Sequence, residues 1–131
     1  MEDILFDDFQ DSVSQLLVRH KSVLDVMTKF QESNARVNRA IIKAVTSCGC
    51  LKVEAQRQTT PSDASLKELS EYLDTHIRGS LCESCREAIE KELGANLFYL
   101  AAICNVLDMS LYDTALNEHK KLKTLGIFNL L

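Results

Sequence analysis

The chain has 131 residues, of which 46% are hydrophobic and 26% charged, with four glycines and one proline. This balance is typical of a single folded domain and excludes wholesale disorder, whereas an all-β fold would need more of the turn-forming residues Gly and Pro. The formal net charge is −4, and the lysines and arginines do not cluster. We therefore expect no binding to nucleic acid, which requires a basic surface.

The N-terminal residues and the apolar runs predict a cytoplasmic protein that does not enter a membrane. The first residues lack the basic and then apolar layout of a signal peptide. No apolar run approaches the roughly 20 residues that are needed to span a bilayer. In the cytoplasm, five cysteines are more often thiols or metal ligands than a disulfide framework.

Helical periodicity dominates the first 45 residues. Apolar residues recur every three or four positions from Ile4 to Val18 and again from Val23 to Val45, which is the spacing of one helix face. In the second stretch, Ser33 and Asn34 interrupt the apolar face. Polar residues at such positions indicate either a solvated stretch or a site.

The middle of the chain is predicted to be a loop followed by a short helix. The helical period fails over residues 46–64, and a loop of this length needs something to order it. Ser65 to Glu68 has the pattern of a capping box. We therefore predict a helix that runs from there to about Ile77 and stops near Gly79.

Two further helices are predicted in the C-terminal part. On a helix from Glu83 to Leu107, apolar residues step four, three, four and three positions and should form a continuous packing seam. The members of this seam are Leu93, Leu97, Leu100, Cys104 and Leu107. After a turn at residues 108–109, Ser110 begins the last helix and Gly126 ends it. The apolar tail, 127–131, is expected to pack on the domain or on another subunit.

The cysteines include two close pairs, Cys48-x-Cys50 and Cys82-x-x-Cys85. Each pair can supply two corners of a tetrahedron, so the four thiolates together predict a zinc site. Its role would be structural, because four protein ligands leave no open position for water or substrate. Unconnected reduced thiols and a thiol–disulfide switch are the alternative interpretations. Cys104 lies in the apolar seam and is assigned to the core.

Three segments follow one another in the order of a known family. They are the run KFQESNARV at residues 29–37, the run ELGANLFYLAA at 92–102, and the turn and lysine-rich helix at 107–123. Together they resemble the MazG family of all-α NTP pyrophosphohydrolases, in which helices read K-L-x-E-E-x-x-E-V and E-L-G-D-L-L-W-Y-L-A. The resemblance implies a single domain, 1–131, formed by a bundle of about five helices. This bundle is interrupted by the 46–64 loop and by an insertion at 65–85, which the cysteine pairs flank. The resemblance also implies a homodimer or a higher homo-oligomer.

The resemblance further implies a site that has lost most of its ligands. Members of the family hold magnesium with an E-x-x-E pair and an E-x-x-D pair, because carboxylates one helical turn apart point the same way. Matched segment to segment, Glu32 and Glu92 are retained. Ser33 and Arg36 occupy the first pair, and Ala95 stands where the aspartate would be.

A catalytically degenerate scaffold that acts in binding or assembly is therefore expected, with Glu32 and Glu92 as vestigial catalytic residues. Arg36 and Asn96 are the candidate ligand-binding residues, and a nucleotide is the possible ligand. A guanidinium can replace a metal ion as the partner of a phosphate.

Two other interpretations stay open at this point. The first is an active NTP pyrophosphohydrolase that uses non-standard ligands such as Glu87 or Glu90, and magnesium is expected only in that case. The second is a purely structural protein whose helices and apolar tail bury a subunit interface.

Overall fold

A computed structural model describes residues 2–17 and 21–125 of the chain. Within them the fold is all-α, as predicted, with five α-helices and one two-stranded sheet. The helices are α1 (Glu2–Leu16), α2 (Val23–Lys43), α3 (Leu66–Tyr72), α4 (Glu83–Val106) and α5 (Leu111–Leu125). A π-helical turn, Ala44–Cys48, follows α2, and the strands are β1 (Leu51–Val53) and β2 (Ile77–Gly79).

The chain divides into two compact units. One comprises residues 39–89 and is called the cysteine unit below. The other comprises the described residues of 1–38 and 90–131 and is called the helical unit. Helices α2 and α4 each contribute residues to both units, because the divisions fall within them.

The core of the helical unit is small. Its buried members are Val13, Val26, Ala101, Ala102, Cys104 and Leu111. Partly buried side chains pack around them, namely Phe6, Phe9, Leu17, Phe98 and Ile103. The assignment of Cys104 to the core is confirmed. The predicted seam on α4 is otherwise only partly covered, because its leucines remain exposed in the chain.

A buried glutamine joins α1 to the turn between α4 and α5. The Gln10 amide donates to the Met109 carbonyl at 2.6 Å, and its oxygen accepts from the Leu111 N–H at 2.8 Å. The Asn105 side chain in turn donates to the Gln10 carbonyl at 3.0 Å. Asp108 adopts a left-handed φ of 55° and ends α4, which confirms the predicted turn. The glutamine thus satisfies backbone groups that the end of one helix and the start of the next leave free.

The cysteine unit contains a two-stranded antiparallel sheet, and α3 lies between its strands in the sequence. Its strands pair antiparallel, with Leu51 opposite Gly79 and Val53 opposite Ile77. Among the described residues of this unit, the buried apolar side chains are Ala44, Leu51 and Ile89. Since burial of apolar surface is the main source of folding free energy, so small a core leaves this unit dependent on another stabilising interaction.

The prediction of a loop over residues 46–64 is wrong in part. The π turn continues to Cys48, and β1 begins at Leu51, so the irregular part of this segment is shorter than expected. A three-residue strand is too short to give a readable alternation of apolar and polar residues.

The helix predicted to end near Ile77 stops at Tyr72 instead. The Asp74 carboxylate accepts a hydrogen bond from the His76 N–H at 3.1 Å, and His76 has a left-handed φ of 61°. This turn directs the chain into β2. The start of the helix is as predicted, because Ser65 Oγ accepts from the backbone N–H of the residue three positions later at 3.2 Å.

Two other predictions concern residues that lie outside the described ranges, namely the stop at Gly126 and the packing of the tail, 127–131. As regards membranes, none of the described helices alone has the length and apolar content to cross a bilayer. Helices α4 and α5 meet those criteria only as a pair bent by 105°.

Replacement of Gln10 by alanine is expected to lower the free energy of unfolding by about 1–3 kcal/mol, because it leaves the buried Leu111 N–H and the partly buried Met109 carbonyl without these partners. Urea denaturation followed by circular dichroism measures the change. The matched control is Gln15→Ala, on an exposed position of the same helix. Equal stability of the two variants would show that the glutamine bonds do not hold this turn.

Candidate functional site

Four cysteines converge in the cysteine unit. Cys48 ends the π turn, and Cys50 directly precedes β1. Cys82 directly precedes α4, and Cys85 lies in the first turn of that helix. Their Sγ atoms all lie within 4.8 Å of one another. The structure therefore brings together all four of the predicted metal ligands, and the cluster can hold a metal ion.

Two glycines shape the backbone around this cluster. Gly49 has a φ of 81° and ends the π turn, with its N–H donating to the Ala44 carbonyl at 2.9 Å. Gly79 has a φ of 82°, and a Cβ at this position would overlap the carbonyl oxygen of Cys50. Hence β2 can approach the first cysteine pair only because position 79 has no side chain.

The thiols interact with one another and with the start of α4. The Sγ atoms of Cys48 and Cys82 are 3.8 Å apart, and the Cys85 N–H points at Cys82 Sγ at 3.4 Å. This N–H, together with the thiols of Cys85 and Cys48, lowers the pKa of Cys82 to about 7. The hydrogen bond with Cys82 and the burial of the group raise the pKa of Cys85 to about 12. Without a metal ion the cluster therefore favours one thiolate, at Cys82, and a bound cation would favour the deprotonation of the others.

Two ion pairs link β2 to the residues that flank the strands. Arg78 on β2 pairs with Asp74 at 2.6 Å and with Glu54 at 3.5 Å. The pKa of Asp74 is lowered to about 2 by the Arg78 guanidinium and the His76 N–H. Sequence reasoning missed this network. Asp74 and Arg78 are four residues apart, a spacing that is typical of an exposed ion pair on the longer helix predicted there.

A second candidate site is a polar groove in the helical unit. It is a cavity of about 300 Å³ between α2 and α4. Of the predicted site residues, Glu32, Arg36 and Glu92 line it. The other lining residues are Lys29, Ser33, Lys91, Ala95 and Tyr99. The alternative ligands Glu87 and Glu90 are exposed and are not among the lining residues.

The Glu32 carboxylate in this groove is engaged by two cations. Arg36 donates to Oε1 through Nε at 3.2 Å and through Nη2 at 2.9 Å, while Lys29 Nζ lies 3.5 Å from Oε2. The Arg36 hydrogen bond, followed by the charge of Lys29, lowers the pKa of Glu32. Glu32, and then Glu92 through its charge, raise the pKa of Arg36. Since these side chains are well exposed, their effect is on what the groove binds rather than on stability.

Asn96, the other predicted ligand-binding residue, is not among the residues that line the groove. Its amide donates to Ser33 Oγ at 3.0 Å and to Asn34 Oδ1. Ser33 is buried, and its hydroxyl donates to the Phe30 carbonyl at 2.7 Å. The polar residues that interrupt the apolar face of α2 therefore receive hydrogen bonds from α4, and Asn96 joins the two helices beside the groove.

Comparison with known proteins adds no relative to this picture. No protein-family model, curated protein or solved structure matches the chain.

The purified protein is expected to contain one metal ion per chain, because four clustered thiolates bind a soft cation more tightly than any exposed carboxylate set. Elemental analysis by inductively coupled plasma mass spectrometry measures the content. Cys82→Ser should reduce it to near zero, whereas Cys104→Ala, in the other unit, should leave it unchanged. Retention of the metal by Cys82→Ser would contradict the assignment.

The two left-handed glycines offer a matched pair of variants. Gly49→Ala incurs only the cost of a left-handed backbone, about 1–2 kcal/mol, because its Cβ would meet no atom within 4 Å. Gly79→Ala adds an overlap with the Cys50 carbonyl. Titration against a chromophoric chelator should show metal affinity at least tenfold lower for Gly79→Ala than for Gly49→Ala. Equal affinities would mean that the close approach does not support the site.

Proposed function

We propose that the chain is a MazG-like scaffold that has lost metal-dependent hydrolysis, acts in binding or assembly, and holds a structural zinc ion at its four cysteines. The observation that carries the loss of hydrolysis is the Glu32 carboxylate, both of whose oxygens face cationic side chains. The zinc proposal is carried by the cysteine cluster.

The chemistry of the cluster supports zinc. Zinc–sulfur bonds of about 2.3 Å place tetrahedral sulfur ligands about 3.8 Å apart. The separation of Cys48 Sγ and Cys82 Sγ is 3.8 Å, and the other sulfur pairs lie within 4.8 Å. Four thiolates leave no open position, so the ion would stabilise the fold rather than activate water. In a unit with three buried apolar residues, that binding energy would act as folding free energy.

The donor set of the polar groove does not fit magnesium. Magnesium requires several oxygen ligands, and carboxylates usually supply those that come from protein. Glu32 is paired with Arg36, and Ala95 offers no oxygen from its side chain. Glu92 is then the carboxylate of the groove that makes no ion pair with another described residue. The Arg36 charge also repels a cation.

The same groove is suited to an anion. Three cationic side chains, Lys29, Arg36 and Lys91, line it together with two carboxylates. A phosphate could replace Glu32 as the partner of Arg36, because guanidinium groups bind both kinds of oxyanion in a bidentate manner. A nucleoside phosphate bound directly by side chains, without a metal ion, is therefore the proposed ligand class.

The test of lost hydrolysis is incubation of the zinc-loaded protein with NTPs and dNTPs in magnesium or manganese. We expect no pyrophosphate release, because the groove lacks the carboxylates that metal-assisted attack by water requires. Turnover that Glu92→Gln abolishes would overturn the proposal and show an active site with non-standard ligands.

A gain-of-binding variant serves as the positive control. Arg36→Glu combined with Ala95→Asp removes the competing cation and adds two carboxylates to Glu32 and Glu92. This variant should bind manganese in electron paramagnetic resonance titrations, whereas the native protein and Arg39→Glu should not. Failure of a folded double variant to bind manganese would remove the support for a MazG-like groove.

A further inference from the structure

Glu92 is a carboxylate of the polar groove that has no partner in the part of the chain that the structure describes. Its side chain is half-buried, and it makes no hydrogen bond or ion pair with a described residue. Glu32, in contrast, is held by Arg36 and Lys29. An ionised carboxylate accepts hydrogen bonds and donates none. A ligand that satisfies Glu92 must therefore bring hydrogen-bond donors.

Glu92 also lies close to the residue that is proposed to hold the phosphate. Arg36 donates to Glu32, and this hydrogen bond, followed by the charges of Glu32 and Glu92, raises the pKa of Arg36. Glu92 is thus near the Arg36 guanidinium, although these two side chains form no ion pair. A phosphate bound at Arg36 therefore leaves the adjoining part of the same ligand within reach of the Glu92 oxygens. In a nucleoside phosphate, that part is the sugar.

The groove becomes less polar along α4. Glu92, Ala95 and Tyr99 follow one another at spacings of three and four residues, so they lie along one face of the helix over about 10 Å. Glu92 is charged, whereas Ala95 and Tyr99 offer a methyl group and an aromatic ring. A nucleoside phosphate has a matching order, namely a charged phosphate, a sugar with hydroxyl groups and an aromatic base.

We infer that Glu92 binds the ribose of the proposed nucleoside phosphate, so that the groove selects ribonucleotides over deoxyribonucleotides. This inference rests on the proposed function, because it requires a phosphate at Arg36. The two oxygens of a carboxylate can each accept a hydrogen bond from one of the two neighbouring hydroxyl groups of ribose. Deoxyribose lacks one of these hydroxyl groups and leaves an acceptor of Glu92 without its partner.

Isothermal titration calorimetry of the zinc-loaded full chain in magnesium-free buffer tests the inference. The probes are AMP, GMP, CMP and UMP with their 2′-deoxy counterparts. Monophosphates are chosen because a cavity of about 300 Å³ is at the lower end of the size range of small-molecule sites. For every base that binds, the ribonucleotide should bind at least about tenfold more tightly, as expected for one hydrogen bond to a charged group.

Variants of Glu92 separate its role from a general effect of charge. Glu92→Ala removes both acceptor oxygens, so the ratio of ribonucleotide to deoxyribonucleotide affinity should fall to about one. Glu92→Gln keeps one acceptor oxygen and should retain part of the preference. The matched control is Glu118→Ala, which removes the same charge from an exposed position on α5 that does not line the groove. This control should keep the native ratio.

Different results would overturn the inference and the proposed function. Equal affinities of ribonucleotides and deoxyribonucleotides for the native chain would refute the contact between Glu92 and ribose, and the proposed ligand class would stand. A ribose preference that persists in Glu92→Ala would assign the sugar to another residue. A preference for CMP over UMP with either sugar, lost in Glu92→Ala, would assign Glu92 to the base. No binding of any probe would refute the proposed ligand class itself.

Discussion

The scarcity of buried apolar surface is the constraint on which the rest of the structure depends. Nine apolar residues are buried among those described, and three of them are alanines. Nineteen large apolar side chains are exposed in the same part of the chain. Conformational entropy opposes the ordering of every residue, so a core this small must be supplemented by other interactions.

In the cysteine unit, the four clustered cysteines can supply the additional stabilisation by coordinating a metal ion. The strands are short, and of their residues only Leu51 is buried. The two-stranded sheet alone would therefore have little stability. Four thiols within 4.8 Å become a stabilising feature once a cation neutralises their thiolates. The local backbone is adapted to that arrangement, because Gly79 permits the close approach to Cys50, and the Cys85 N–H favours a thiolate at Cys82. Metal binding at this cluster would therefore be coupled to the folding of the unit.

The sequence predicted the structure correctly where an apolar pattern extends over several helical turns and where metal-ligating residues recur at a short spacing. The helices α1, α2 and α4 were predicted within about two residues, because each carries several turns of apolar periodicity. The cysteine pairs were predicted because metal ligands recur at short intervals. The strands were not, since three residues carry no readable period. The contact at Gly79 was not predicted, because it depends on Cys50, which is distant in the sequence. The hydrogen bonds of Asn96 were not predicted for the same reason, because its partners lie more than sixty positions away.

Helix α4 contributes to the cysteine cluster, the polar groove and the core, and its charged residues are distributed unevenly along its length. Its charged residues all lie between Glu83 and Glu92, where it begins beside the cysteine cluster and lines the polar groove. Beyond Glu92 it carries none, and there it supplies Ala101, Ala102 and Cys104 to the core and leaves the side chains of Leu93, Leu97 and Leu100 exposed. A carboxylate at Ala95 would lie one turn from Glu92, at the border between these two regions. Because Ala95 is uncharged, the uncharged part of the helix begins at Leu93, so the charged side chains that line the groove and the apolar side chains that enter the core occupy separate stretches of one helix.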